Sequence, residues 1–317
     1  MKTCLIVNPN AGPSAFKRQL RNAQDHLLKL GCELKRVDTK SKGDATRLAQ
    51  QAAEEGFEVV IAVGGDGTLN EVCNGLANTD AVLGVLPAGT ANVFAADVHI
   101  PIWTPLKPDA VIKAAELIVT GRRRQIDLGQ LRLEDDTTRY FLMWCGIGLD
   151  AAITQARSSV GSARTLNYAS WVISGLMVTY DFMGTPAKIT IDHEVLNERL
   201  LMAVVSNGQL YGRVWRMAPE AKMDDGLLDV AIMAGHRWPS TIKHAVGLTL
   251  KKHIEDPDFH LHRTTKLLLS ARDTLPVHVD AETIGTTPVE IEVVPKALTV
   301  IVPQDAPERL FSNGEPN

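Results

Sequence analysis

Residues 59–74 read V-V-I-A-V-G-G-D-G-T-L-N-E-V-C-N. Val59–Val63 is a short, uncharged, β-branched run, the pattern of a strand buried on both faces of a parallel sheet. Gly64, Gly65 and Gly67 follow; they are expected to supply positive φ and to let a bound group approach the main chain. Thr68 and Asn70 are suited to opening a helix that Leu69, Val72, Cys73 and Leu76 continue at helical spacing. A strand running through a glycine turn into a helix N-terminus offers unpaired N–H groups and the positive end of the helix dipole. Both suit a phosphate. Asp66 stands in the turn, where a carboxylate repels phosphate unless a cation lies between. The expected arrangement is Asp66 on Mg²⁺, directly or through water, with Thr68 and the glycine amides on nucleotide phosphates. A plain turn with Asp66 capping the helix is the bland alternative. The element is not G-x-G-x-x-G, and it lacks the Gly-Lys-Ser/Thr of a P-loop.

Upstream, Cys4–Val7 reads as a strand ending in Asn8-Pro9-Asn10-Ala11-Gly12. A helix starts at Ser14, with Phe16, Leu20, Ala23, Leu27 and Leu30 on one face. A strand near Glu33–Val37, a helix Asp44–Glu55, the Val59–Val63 strand, a helix Thr68–Ala77 and a strand Val82–Leu86 complete an alternating β-α order. Such alternation predicts a parallel sheet with helices on both faces. Ligands collect at the carboxyl ends of such strands. Three loops leave strands there: Asn8–Gly12, Gly64–Thr68 and Pro87–Asn92. Thr39, Lys40, Lys42 and Gly43 are candidates for a fourth wall.

The chain of 317 residues is long enough for two domains, and its 45% hydrophobic content suits a sizeable core. A formal net charge of −4 gives no general attraction to nucleic acid, so no nucleic-acid partner is expected. Cys4, Cys32, Cys73 and Cys145 are scattered without a C-x-x-C, which predicts a reducing compartment and no zinc site. No run is apolar for long enough to span a bilayer, and the expected location is cytoplasmic, with peripheral contact at the inner face of the membrane.

Composition shifts after a helix at Asp109–Val119. Arg122, Arg123 and Arg124 read as a solvated linker, with contact to an anionic group as the alternative. From Gln125 the period moves towards two. Ile126, Leu128, Leu131 and Leu133 precede a turn at Glu134-Asp135-Asp136, and Tyr140–Trp144 read as the return strand. Further strands are expected at Ala187–Ile191, Leu200–Val205, Leu228–Met233, Lys266–Ser270, Pro276–Val279, Val289–Val293 and Leu298–Val302, and helices at Asn167–Tyr180 and Pro239–Leu250. Met223-Asp224-Asp225-Gly226-Leu227-Leu228-Asp229 sets carboxylates at a glycine turn, a candidate hard-cation site or an ordinary charged turn. Asp280 and Glu282 end a strand two residues apart, so along an extended backbone they point the same way. At a cleft such acids accept a hydroxyl proton during phosphoryl attack. His253, His260 and His262 read as a polar loop.

The motifs N-P-N-A-G, V-G-G-D-G-T-L-N-E-V, L-G-V-L-P-A-G-T-A-N, I-D-L-G, C-G-I-G-L-D-A-A, D-D-G-L-L-D-V and D-A-E occur in an order that resembles the diacylglycerol kinase catalytic-domain family. The likeness is greatest to its soluble bacterial lipid kinases. It implies an α/β N-terminal domain with a parallel sheet and helices on both faces, similar to phosphofructokinases and NAD kinases. A mainly antiparallel β second domain and a nucleotide cleft between the two complete the implied architecture. The expected division is 1–124 for the nucleotide-binding domain and 125–302 for the lipid-substrate domain, with the tail 303–317 returning to the first. The resemblance implies ATP and Mg²⁺ as cofactors. Asn8, Thr39, Gly64, Gly65, Asp66, Gly67, Thr68, Leu69, Asn70, Glu71 and Thr90 are the implied nucleotide shell. Asp225 is the implied metal ligand, with main-chain carbonyls near Lys222 and Leu227. The implied base is Glu282, with Asp280 orienting it or the metal and Asp66 on the phosphate side. Ala281 departs from the family glycine, so a site needing positive φ there is strained. Val93 replaces the acid often found after G-T-A-N.

The expected activity is phosphoryl transfer from ATP to the hydroxyl of a diacylglycerol-like lipid. The alternatives are an NAD kinase, which shares the glycine-acid turn, and a lipid- or nucleotide-binding regulator without turnover. Transient contact with a membrane surface is expected, with Trp171, Val172, Leu176 and Met177 as candidates to touch acyl chains or as core. The lipid and the oligomeric state are not legible; a homodimer is one option.

Overall fold

The structure, a computed structural model, describes residues 1–159, 182–213, 215–236 and 238–312. The expected helix Asn167–Tyr180, with Trp171, Val172, Leu176 and Met177, lies outside the described residues.

The first half alternates β1 (Lys2–Val7), α1 (Ser14–Lys29), β2 (Glu33–Asp38), α2 (Asp44–Glu54), β3 (Val59–Gly64), α3 (Asp66–Leu76) and β4 (Val82–Pro87). The strands lie side by side in the order β2-β1-β3-β4, all parallel. With right-handed crossovers, the reversal of direction at β1 puts α1 on one face and α2 and α3 on the other. The helices cover both sides, so every residue of β3 and β4 is buried. The amphipathic pattern of α1 buries Phe16, Leu20, Ala23 and Leu27. The reversal also makes the carboxyl ends of β1 and β3 a topological switch point, where a crevice opens.

After β4 come a five-residue helix, α4 (Val93–Asp97), absent from the expected elements, and α5 (Ala110–Thr120), which packs on α1. The three arginines are not a linker. They begin β5 (Arg122–Leu133), where Arg122 and Arg124 pair with Glu308 and Arg123 pairs with Glu58. The second half continues with β6 (Thr138–Phe141), β7 (Trp144–Gly148), α6 (Leu149–Ser159), β8 (Thr185–Ile191), β9 (Glu194–Ser206), β10 (Leu210–Tyr211), β11 (Trp215–Arg216) and β12 (Leu228–Ala234). It ends with α7 (Trp238–Thr249), β13 (Phe259–Thr264), β14 (Lys266–Ala271), β15 (Pro276–Val279), β16 (Glu282–Thr286) and β17 (Val289–Val302). Pairing among these strands is antiparallel. The fold is thus an N-terminal α/β domain with a parallel sheet and a second, mainly antiparallel β domain.

Two long strands join the halves. β5 and β17 pair from Arg122↔Val302 to Leu133↔Val289, with a break in register between Val294 and Leu298. The far end of β17 pairs parallel with β4 through Thr299 and Val300. The two strand segments expected at Val289–Val293 and Leu298–Val302 are therefore one strand with a bulge. Residues after Val302 turn back: the Leu310 carbonyl accepts the Met223 amide at 2.8 Å, and the Ser312 amide donates to Asp224 at 2.5 Å. His260 and His262 belong to β13 rather than to a loop, and His253 is buried edge-on against Phe259.

Candidate functional site

The loops after β1, β3 and β4 meet at the switch point. Asn8 donates through Nδ2 to the Thr68 hydroxyl at 3.2 Å, and its own Oδ1 takes the Asn10 amide at 3.0 Å. The glycines here serve close approach and not positive φ. Gly64, Gly65 and Gly67 have ordinary negative or extended φ. A Cβ on Gly64 would stand 2.5 Å from the Thr68 side chain, and one on Gly89 would stand 2.5 Å from the Gly65 Cα. Two loops touch main chain to main chain, and only glycine permits it.

The helix begins at Asp66, two residues before the expected start, so Asp66 is its first residue and not the middle of a turn. Its carboxylate accepts the Asn92 amide at 2.8 Å and the Val93 amide at 2.6 Å. Burial pushes its pKa up, the two amides oppose that, and the nearby Asp280 charge adds to the rise. In this arrangement Asp66 clamps the β4–α4 loop to α3. The first i→i−4 bond of α3 runs from the Leu69 amide to the Gly65 carbonyl. The Gly67 and Thr68 amides lie ahead of it, at the positive end of the helix dipole.

Other residues of the expected nucleotide shell have structural duties. Glu71 accepts the Gly43 amide at 2.9 Å and the Ala45 amide at 3.0 Å, capping the start of α2. The Thr39 amide donates to the Val7 carbonyl at 2.9 Å, and the Thr90 carbonyl accepts from Arg213 at 3.4 Å. Leu69 is buried core. Asn70 is fully buried and does not line open space. Its Nδ2 donates to the Tyr140 carbonyl at 2.9 Å and to Asp280 at 2.8 Å, and its Oδ1 accepts from Arg139 at 3.0 Å. One turn on, Asn74 donates to the Tyr140 carbonyl at 3.0 Å and accepts the Tyr140 amide at 2.9 Å; another turn on, Asn78 donates to the Tyr140 hydroxyl at 3.3 Å. Two asparagines on α3 and a third just past its end thus extend the hydrogen bonding of β6 across the boundary between the halves.

Asp280 and Glu282 are not on one extended face. Asp280 and Ala281 form the two-residue turn of the β15–β16 hairpin, with φ of +44° and +69°, as a type I′ turn requires. The turn sends Asp280 inward and leaves Glu282 to open β16. Asp280, 4% exposed, accepts amides of Leu142 at 2.7 Å, Met143 at 2.9 Å and Trp144 at 3.1 Å, besides Asn70. Burial drives its pKa up against those four donors. The expected single strand Tyr140–Trp144 breaks into β6 and β7 because its chain wraps this carboxylate. The Glu282 side chain, 16% exposed, meets Arg139 at 3.0 Å and pairs with Lys42 from the first half. Ala281 in the left-handed region costs about 1–2 kcal/mol. Ala281→Gly is expected to stabilise the protein by about 0.5–1 kcal/mol, after allowing for the extra freedom of glycine in the unfolded chain. A higher urea midpoint at unchanged slope would show it.

Glu282 lines an open cleft of about 690 Å³ with Lys42, Gly67, Glu71, Gln155, Ala281 and Thr283. Behind it lies a void of about 10 Å³ bordered by Asp66, Asn70 and Asp280. The expected catalytic carboxyls therefore lie near one another, Asp280 sealed, Asp66 half-buried and Glu282 at the mouth.

The acidic turn is elsewhere. Asp225, the expected metal ligand with Lys222 and Leu227, pairs with the Arg263 guanidinium and accepts the Leu227 amide at 3.1 Å. Where a cation was expected, an arginine holds the carboxylate. The organising acid is Asp127 of I-D-L-G, to which no role was assigned. It is buried at the β17 bulge and accepts the Gly226 amide at 2.7 Å and the Lys296 amide at 2.8 Å. Among the described residues no group of three or more His, Cys, Asp or Glu could hold a metal ion.

Sequence reasoning also missed Arg139, a lone cation in a short strand, and a buried cluster behind the hairpin. There His278 Nε2 meets Asp150 at 2.5 Å, and the Tyr211 hydroxyl joins Asp150. Gly146 makes the room: a Cβ there would lie 2.1 Å from the Asp150 carboxylate. Glycine and aspartate four apart in C-G-I-G-L-D carried that signal.

Comparison with known proteins agrees over nearly the whole chain. Residues 2–131 match the diacylglycerol kinase catalytic domain, and residues 144–302 match the YegS C-terminal NAD kinase beta sandwich-like domain. A diacylglycerol kinase of Bacillus subtilis (strain 168) is 28% identical over 310 residues, covering 96% of this chain and 98% of its own. One from Staphylococcus carnosus (strain TM300) is 27% identical, covering 95% of each. A crystal structure of a diacylglycerol kinase from Bacillus anthracis str. Sterne has the same fold, with a TM-score of 0.69 at 24% identity over 96% of this chain and 98% of that one. A second structure from that strain reaches a TM-score of 0.75 at 26% identity, with the same coverage.

Proposed function

The chain belongs to the diacylglycerol kinase catalytic-domain family, with a YegS-type second half, and on that ground we propose that it transfers the γ-phosphoryl group of ATP to the hydroxyl of a diacylglycerol-like lipid. The observation that carries this reading is the position of Glu282. It is the acid of the late motif that reaches the cleft, facing Gly67 and Lys42 of the first half, whereas Asp280 is sealed.

In the proposed reaction the lipid oxygen attacks phosphorus, its proton passes to a Glu282 carboxylate oxygen, and the bond to the bridging oxygen of ADP breaks. Arg139 orients Glu282 and is itself fixed by Asn70. Lys42, 74% exposed, is free to exchange Glu282 for a phosphate as the nucleotide enters. The first-turn amides of α3 favour the anion from the other side. Asn8, Thr39, Thr68 and Thr90 remain the proposed nucleotide rim. Asp66, Glu71 and Asn70 act through the main chain they hold.

The described residues do not offer a preformed cage for Mg²⁺, because Asp66 is engaged by amides and Asp225 by arginine. Mg²⁺ entering with ATP would be held largely by phosphate oxygens and water, and would supply charge neutralisation there. Membrane contact is part of the proposal, since the acceptor resides in a bilayer. No helix among the described residues is long and apolar enough to cross one.

The test is to incubate the protein with labelled ATP and Mg²⁺, offering diacylglycerol in one arm and NAD in the other. Label in phosphatidic acid is expected. Label in NADP instead would overturn the reading, and nucleotide binding without transfer to either acceptor or to fractionated lipids would favour a binding protein.

A further inference from the structure

Helix α7 is apolar on the side that faces water. His244 and Leu248 pack inward, at 2% and 7% exposure. Ile242 and Val246 lie four apart on the outer side, 43% and 50% exposed, with Leu250 at 62% one residue past the end of the helix and Ile254 at 55% just beyond. Ala245 and Thr249 fill the stripe between them and are also exposed. A helix that met only water would carry charges at these positions. The exposed charge within the helix, Lys243, is consumed by Asp256 and Asp258. Lys251 and Lys252, immediately after it, are exposed and have no ion-pair partner among the described residues.

We propose that this face of α7 docks the protein on a lipid surface bearing anionic headgroups. The stripe enters the boundary between headgroups and acyl chains while Lys251 and Lys252 meet lipid phosphates. The proposal rests on the reading of the site as a lipid kinase. Charge decides the occupant. A net charge of −4 leaves the protein as a whole without attraction to such a surface, so the unpaired Lys251 and Lys252, which outnumber the exposed Glu255 beside Ile254, are the local basic charge that adsorption needs. A two-fold contact between copies through this face would instead gather the same unneutralised lysines from both. The helix is also coupled to the cleft. Trp215 donates to Thr249 at 3.3 Å and stacks on Tyr211, whose hydroxyl meets Asp150 of α6, and α6 contributes Gln155 to the cleft wall.

The test is co-sedimentation of the full chain with vesicles of phosphatidylcholine, with and without phosphatidylglycerol. It compares the parent with Ile242→Glu/Val246→Glu and Lys251→Glu/Lys252→Glu. All four positions are exposed, so both variants should fold, and circular dichroism checks this. Each pair is expected to weaken binding to the phosphatidylglycerol vesicles about tenfold or more. For the parent, omitting phosphatidylglycerol should cost a similar factor. Phosphorylation of a vesicle-borne acceptor should fall with binding, and that of a short-chain, water-dispersed acceptor should stay at the parental rate. Parental binding by either variant overturns the proposal, as does a parental dimer that Ile242→Glu/Val246→Glu dissociates without change in sedimentation. If no acceptor is phosphorylated while the vesicle result holds, the kinase reading fails and the docking face stands.

Discussion

Glu282→Gln is expected to lower turnover by about 10²–10⁴-fold, the usual worth of a positioned general base. Glutamine keeps the shape and can still accept from Arg139, which retains its bond to Asn70. The loss in folding stability is expected to stay near or below about 1 kcal/mol, as for most partly exposed ion pairs. Nucleotide affinity is expected to hold or rise slightly, because Lys42 loses a competitor for phosphate. Initial rates with labelled ATP, titration calorimetry with a non-hydrolysable analogue and a urea curve separate these quantities. A variant transferring phosphate at the parental rate would remove Glu282 from the chemistry.

Asp280→Ala should act on the fold instead. The carboxylate, buried from solvent, satisfies three main-chain amides and one side-chain amide. Truncation strands all four donors, and breaking a buried charged network typically costs about 3–5 kcal/mol. The expected result is a large drop in the urea midpoint, with loss of nucleotide binding and turnover together. Asp280→Asn, which keeps one acceptor oxygen, should fall in between. A stable Asp280→Ala variant that bound nucleotide but did not turn over would show that Asp280 acts on substrate and not on the hairpin.

Within the parallel sheet β1, β3 and β4 were legible because each is a short apolar run ending at a glycine- or asparagine-bearing turn, and burial leaves that pattern undisturbed; the edge strand β2, Glu-Leu-Lys-Arg-Val-Asp, is largely charged and exposed and was legible only from the β-α alternation around it. The antiparallel half was legible strand by strand but not in its breaks. Nothing local in Tyr140–Trp144 says that the chain bends round a carboxylate contributed from position 280, 210 residues after Asn70 in the same network. The roles of acids were harder still. Asp66, Asp225 and Asp280 looked like ligands because carboxylates beside glycine turns can bind cations. Each proved to be engaged by amides or an arginine that only the folded chain brings close. Glu282 could be told from Asp280 only once two positive φ values turned the backbone between them. Ala281 was a correct warning: the missing glycine marked the place where the main chain is left-handed.

The asparagines of α3 and its C-terminal end bear on how substrates would get in. Asn70 and Asn74 on the helix and Asn78 just beyond it stitch the N-terminal half to the strand that carries Arg139, and the Asp280 turn is sewn into the same seam. A jaw that swung wide would have to unpick all of it at once. On the proposed reading admission is left to the rim, where exposed Lys42 can exchange Glu282 for phosphate without breaking the bonds of Asn70 or Asp280. The molecule would then work less like a clam than like a fixed frame with one loose bolt.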